Sequence, residues 1–105
     1  MKYALIAAAA LSMLVTPALA DNKVSNCTGM ASMAKSAMEL RQTGADLPFV
    51  VGALSKELDG AELDAAIAVM QLAYSEPLYS TDRAKESAAN EFSSKMFLAC
   101  MEVKA

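Results

Sequence analysis

Apolar residues recur every three or four positions in four stretches of this chain, which is the spacing of one buried helix face. β-branched residues are sparse, and no stretch alternates apolar and polar residues over the length of a strand. The pattern predicts an all-α fold, a small domain of four helices.

Turn-forming residues mark where these helices begin and end. We expect the first helix to begin near Ser25 or Asn26 and to run to Thr43, with Gly44 as its C-terminal cap. Two more helices are expected at about residues 47–58, after Asp46, and 61–75. Ser80-Thr81-Asp82 opens the last and longest helix, which is expected to reach Met101 or beyond. The predicted inward faces are Cys27, Met30, Ala31, Ala34, Ala37, Met38 and Arg41; Leu47, Val50, Val51, Leu54 and Leu58; Leu63, Ala66, Ile67, Met70 and Tyr74; and Ala84, Ala88, Phe92, Met96, Cys100 and Val103.

Residues 1–20 have the pattern of an export signal. Lys2 supplies a positive charge, residues 3–15 are apolar apart from Ser12, and residues 18–20 read Ala-Leu-Ala, the small-residue pattern of a cleavage site. A membrane anchor needs about 20 apolar residues, more than this run provides. We therefore expect cleavage after Ala20, a periplasmic or secreted product, and one domain over residues 21–105.

The chain has two cysteines, Cys27 near the start of the first predicted helix and Cys100 near the end of the last. An oxidising compartment favours a disulfide, and two cysteines allow one intramolecular pairing. The alternatives, free thiols or metal ligands, lack support because the chain has no histidine and no Cys-x-x-Cys. The disulfide predicts that the first and last helices pack antiparallel.

The net charge of the chain and its distribution limit the kinds of partner that the chain could bind. The full chain carries a formal net charge of −3, and without Lys2 the remainder carries −4. No basic patch suited to nucleic acid is present, and no helix has the lysine- and arginine-rich face of a membrane-surface helix. We expect neither nucleic acid binding nor stable membrane insertion after signal cleavage.

Catalysis and cofactor binding have little basis in the residue types. Without histidine, the usual general base is missing. The carboxylates of Glu57, Asp59, Glu62 and Asp64 could do acid–base work, but they surround a predicted helix start and are better explained as capping and solubilising charges. We expect no enzymatic activity and no cofactor.

Six methionines follow the predicted signal, and thioethers are ligands for Cu(I). Met30 and Met33 are three residues apart, a separation at which both could hold one ion. Met30, Met38, Met70 and Met96 also fall on the predicted core faces, where methionine acts as a flexible filler. Core packing is the preferred explanation, and Cu(I) binding is kept as a third functional hypothesis.

Five residues make up a candidate partner surface. Met33, Leu40 and Met101 lie off the main apolar faces, so their side chains are candidates for exposure. Tyr79 lies in the loop before the last helix, where it either contacts a partner or packs against the helix start. Arg41 lies on an apolar face and either pairs with a buried acceptor, the preferred explanation, or reaches a ligand.

Several of these residues form a pattern that resembles small exported helical proteins of bacteriophages and proteobacteria, which have a single disulfide and no established activity. The matching positions are Cys27, Met38, Arg41, Gln42 and Gly44, then Ala73, Tyr74, Pro77 and Tyr79, and finally Phe92 and Cys100. The resemblance covers most of the chain after residue 20. It implies export and a helical fold, and it adds no evidence on catalysis.

The size, export signal, helices and single disulfide are also similar in design to phage periplasmic proteins that inhibit a lysozyme, and to immunity proteins against wall-degrading enzymes. We therefore expect a periplasmic protein-binding module, an inhibitor or immunity-type protein against a cell-envelope enzyme. The alternative is an acid- or stress-activated periplasmic chaperone. With carboxylates as its titrating groups, such a chaperone would respond below about pH 5.

Overall fold

A computed structural model describes the backbone of residues 2–103 and the side chains of residues 22–103. It contains four helices, α1 (Lys2–Thr43), α2 (Leu47–Glu57), α3 (Gly60–Tyr74) and α4 (Asp82–Glu102), and the described part of the chain has no strand. The predicted all-α, four-helix fold is confirmed. The predicted export signal lies outside the residues whose side chains are described.

Most helix boundaries follow the signals in the sequence. α1 ends at Thr43, and Gly44 has φ +84°, a left-handed conformation that glycine adopts without a steric penalty. Thr81 caps α4, and its side-chain oxygen accepts a hydrogen bond from the Ala84 N–H at 3.1 Å. Asp46 and Asp59 occupy the N-cap positions of α2 and α3, but neither side chain makes a capping hydrogen bond.

The predicted start of the first helix at Ser25 or Asn26 is wrong, because α1 is already helical before these residues. The hydroxyl of Thr28 donates to the Val24 carbonyl at 2.7 Å, one helical turn back. This contact is typical of threonine inside a helix. Ser25 and Asn26 are therefore interior helix positions and do not cap a helix terminus.

α1 and α4 pack antiparallel, as the disulfide predicted. The Cys27–Cys100 bond joins them with 5.5 Å between the Cα atoms. Farther along the pair, the Ser93 hydroxyl donates to the Ala31 carbonyl at 2.9 Å. As residue numbers rise along α1, the residues that they contact on α4 have falling numbers, so the two helices run in opposite directions. The end of the bundle that holds the Cys27–Cys100 bond is called the disulfide end below.

The opposite end, called the loop end, contains the end of α1, the start of α2, the end of α3 and residues 75–81 before α4. Its connections are short, and the hydroxyl of Tyr74, the last residue of α3, donates to the carbonyl of Ala45 between α1 and α2 at 2.7 Å. α1 packs against α4 on one side and α3 on the other, and α2 packs on α3. Along the chain, α1 and α3 end at the loop end, whereas α2 and α4 begin there.

The buried core lies between the middle of the bundle and the loop end. It consists of Ala34, Ala37, Met38, Val50, Val69, Met70, Ala73, Ala89 and Phe92. Three core residues each lie next to a residue that was predicted to face inward: Val69, Ala73 and Ala89. The buried faces of α3 and α4 are therefore broader than expected. Val103 was predicted to face inward and this is wrong: its side chain is 66% exposed, because α4 ends at Glu102 and no other helix covers it.

Candidate functional site

The loop end contains the most specific polar arrangement in the described part of the chain. Gln42 lies in the last turn of α1 and is only 4% exposed. Its Nε2 donates to the Pro77 carbonyl at 2.8 Å, and its Oε1 accepts from the Tyr79 N–H at 2.9 Å. The side-chain amide thus pairs with the 75–81 loop as a backbone peptide group would. A weaker contact joins Nε2 to the Met38 sulfur at 3.5 Å.

Arg41 holds the same loop from the neighbouring position. Its Nε donates to the Glu76 carbonyl at 3.1 Å, and its guanidinium lies 5.4 Å from the centre of the Tyr74 ring. This is cation–π distance. Of the two explanations for Arg41, pairing within the fold is the one found. The contacts of Arg41 and Gln42 with residues 76–79 are together called the latch.

Tyr74 lies beside the latch, partly buried against the core. Burial raises the pKa of its phenol above the ordinary value, with a further small rise from Asp46, while the nearby Arg41 guanidinium acts in the opposite direction. A neutral phenol is the form that donates to the Ala45 carbonyl. Tyr74 is therefore a neutral hydrogen-bond donor that joins α3 to the α1–α2 connection.

The latch explains two of the short motifs noted in the sequence. One contains Arg41, Gln42 and Gly44, and the other runs from Ala73 to Tyr79. The bonded residues of these motifs lie 35 to 37 positions apart along the chain, yet each motif supplies one side of the same hydrogen-bond network. Sequence reasoning noted Gln42 within a motif but did not predict its burial.

A small cleft of about 150 Å³ lies beside the latch, between the 75–81 loop and α4. Glu76 and Tyr79 contribute from the loop, and Met38 contributes from α1. One face of α4 completes it with Ala88, Glu91, Phe92 and Lys95, which are spaced three and four residues apart. The cleft combines buried apolar residues with charged side chains.

Two apolar grooves lie elsewhere. Between α1, α2 and α3 is a shallow groove of about 90 Å³, whose walls include Met33, Leu40, Leu54 and Met70. At the disulfide end, a larger open groove of about 690 Å³ runs along α1 and α4 past Met30, Cys100 and Val103. Met30 and Met33, the pair considered for Cu(I), thus line different grooves.

The five residues of the candidate partner surface do not form one patch. Met33 and Leu40 share the α1–α2–α3 groove, with 37% and 38% of their surfaces exposed. Tyr79, also 38% exposed, lines the cleft beside the latch, and Arg41 is partly buried within the latch. Met101 is half-buried near the disulfide end.

The carboxylates considered for acid–base chemistry, those of Glu57, Asp59, Glu62 and Asp64, are all exposed. Within residues 22–103, no group of three or more His, Cys, Asp or Glu side chains is placed to hold a metal ion. No helix in that same range is long and apolar enough to span a membrane.

Comparison of the chain with models of known protein families, with curated proteins and with solved structures returned no match.

Proposed function

We propose that this chain is a periplasmic protein-binding module, an inhibitor or immunity-type protein directed at an enzyme of the cell envelope. The observation that carries the proposal is a set of large apolar side chains exposed at the loop end. Phe49 is 76% exposed, Leu72 50% and Leu78 51%. They lie in three different segments whose termini meet at that end. Large apolar side chains left in solvent at one end of a protein are candidates for an interaction site.

The rigidity of the loop end supports the same function. The latch fixes the 75–81 loop with three hydrogen bonds from two side chains of α1. A loop that is already ordered loses less conformational entropy when it binds, so more of the contact energy appears as affinity. Residues Leu78 and Tyr79 are therefore presented in a fixed geometry.

Charge and the disulfide support the location and the class of partner. The net charge of −4 after residue 20 favours association with basic proteins, chiefly by accelerating encounter. Disulfides persist in extracytoplasmic compartments and are rare in the cytosol. A basic envelope enzyme fits both properties. Mass spectrometry of the protein isolated from periplasm tests export, because cleavage after Ala20 gives a chain that begins at Asp21.

Site-specific photocrosslinking in cells tests binding at the loop end. A photoreactive residue placed at Phe49, Leu72 or Leu78 is expected to give the same discrete protein adduct. Leu98 is the matched control, since it is also apolar and 60% exposed but lies on α4 toward the disulfide end. Adducts from Leu98 alone, or no adduct at any loop-end position, would overturn the proposal.

Recovery of the partner then tests inhibition directly. Purified partner enzyme should lose activity when the wild-type chain is added, and the double variant Phe49→Ser/Leu78→Ser should fail to inhibit it. Because both side chains are largely exposed, the double variant should keep the melting temperature within a few degrees of wild type. A partner that binds but retains full activity would exclude the inhibitor role.

A further inference from the structure

The cleft beside the latch has an apolar floor and a charged rim. Met38 is 1% exposed and Phe92 5% exposed, so the floor is removed from water. Tyr79 forms one wall and retains 38% of its surface in solvent, leaving its aromatic ring within reach of a ligand. Glu76 from the loop and Glu91 from α4 both line the cleft, and Lys95 is the one basic residue among its lining side chains.

We infer that this cleft binds one cationic side chain, that of an arginine or a lysine, from the partner protein. The inference rests on the proposed function and names the contact through which the partner is recognised. Two carboxylates against one ammonium leave an excess negative charge at the rim. Aromatic rings attract a cation placed over their faces, and the attraction strengthens when water is excluded.

The volume of the cleft fits this ligand. A cavity of about 150 Å³ in another protein accommodates benzene, a group of six heavy atoms. The cleft here has about the same volume, 150 Å³, and opens to solvent on one side. A guanidinium with its last methylene group, or the end of a lysine side chain, is of that size. Arginine is also among the residues that contribute most to protein–protein affinity.

Lys95 competes with an incoming cation for the carboxylates that line the cleft. It follows Glu91 by four residues on the same face of α4, the spacing at which glutamate and lysine attract each other. An incoming cation must share or displace this ammonium group. Removing the charge of Lys95 should therefore strengthen cation binding, whereas removing the charge of Glu91 should weaken it.

The test is an NMR titration of the intact disulfide-bonded protein with blocked arginine, N-acetyl-arginine amide. The neutral isostere, N-acetyl-citrulline amide, serves as the control ligand. We expect saturable shifts of the Phe92 and Tyr79 ring signals with arginine and no saturable shift with citrulline. Lys95→Gln should bind arginine about threefold more tightly, and Glu91→Gln about threefold more weakly, as expected for partly exposed ion pairs. Glu86→Gln, on a different face of α4, should match wild type.

Equal shifts with citrulline, or no saturable shift with arginine, would overturn the inference. The result is independent of the crosslinking experiment, which reports on Phe49, Leu72 and Leu78. If the loop-end adducts form and blocked arginine does not bind, the proposed function stands and this cleft is not the recognition site. If arginine binds and no adduct forms, the cleft is a cation site and the proposed function fails.

Discussion

The two ends of the bundle are held together by different means. At the disulfide end, the Cys27–Cys100 bond lies among side chains that remain in solvent: Val24 is 41% exposed, Leu98 60% and Val103 66%. At the loop end, the buried core and the latch hold the helices together without a disulfide cross-link. Cys27 itself is only 1% exposed, but the continuous core on α1 begins at Ala34, two turns farther along. The disulfide therefore fixes the part of the α1–α4 pair that core packing does not reach.

Removing the disulfide should have the largest effect on stability. The bond closes a loop with a sequence separation of 73 residues. For a loop of that length, the chain-entropy relation gives about 4 kcal/mol. The double variant Cys27→Ser/Cys100→Ser should lose this amount from the free energy of unfolding, measured by urea denaturation. Hydrogen exchange should accelerate more around Ala31 than around Gln42. Equal acceleration at both ends would contradict the conclusion that the disulfide chiefly holds the end that core packing does not reach.

Truncating the Gln42 side chain should destabilise the loop end. Gln42→Ala leaves the partly buried Pro77 carbonyl and Tyr79 N–H without their partner, at a cost of about 2 kcal/mol for the two hydrogen bonds. Urea denaturation measures this loss. Gln71→Ala is the matched control, because Gln71 is exposed and also lies near the end of a helix. Equal stability of the two variants would show that the latch contributes nothing.

The variant Gln42→Glu tests the latch through the pH dependence of the free energy of unfolding. A carboxylate at this buried position would face the Pro77 carbonyl oxygen, so burial and repulsion should raise its pKa above the ordinary glutamate value. A raised pKa gives a stability contribution that is complete below about pH 4 and is lost as the pH rises. The deficit relative to wild type should thus be small near pH 4 and grow toward pH 7. A deficit independent of pH would contradict the proposed geometry.

Gly44→Ala should cost about 1–2 kcal/mol, since φ +84° is unfavourable for a residue with a Cβ atom. No atom lies within 4 Å of the position where that Cβ would be placed, so the cost comes from the backbone alone. Gly52→Ala, inside α2 and equally free of close contacts, should instead stabilise the protein by about 0.5–1 kcal/mol. Thermal unfolding of the two variants should therefore shift in opposite directions.

Tyr74→Phe should have the smallest effect, about 1 kcal/mol, because it removes one hydrogen bond to Ala45 and keeps the ring beside Arg41. The raised pKa of Tyr74 means that its contribution is complete below about pH 10 and declines as the phenol ionises. Wild type should lose stability more steeply than Tyr74→Phe as the pH rises above about 10. Parallel curves from thermal unfolding would show that Tyr74 does not titrate in the folded protein as described.

The sequence predicted the helices and the disulfide well because these depend on local signals and on the cysteine count. Gly44 and Thr81 act at helix ends as their residue types suggest. Periodicity also found Met38 and Phe92 in the core. Burial of Gln42 could not be predicted, because it depends on acceptors and donors 35 and 37 residues away that only the folded chain brings near. The start of α1 was missed for the converse reason, since Ser25 has the residue type of a cap without acting as one.

The sequence separation of the two cysteines has a consequence for the order of assembly. During synthesis at about 5–20 residues per second, Cys27 waits about 4–15 s for Cys100 to follow it. Both motifs of the latch are complete before that point. Because the chain holds just these two cysteines, incorrect pairing within one molecule is impossible. The hazard for the newly made chain in an oxidising compartment is that the compartment's oxidant joins the early thiol to that of a neighbouring molecule, giving a Cys27-linked dimer in place of the closed monomer.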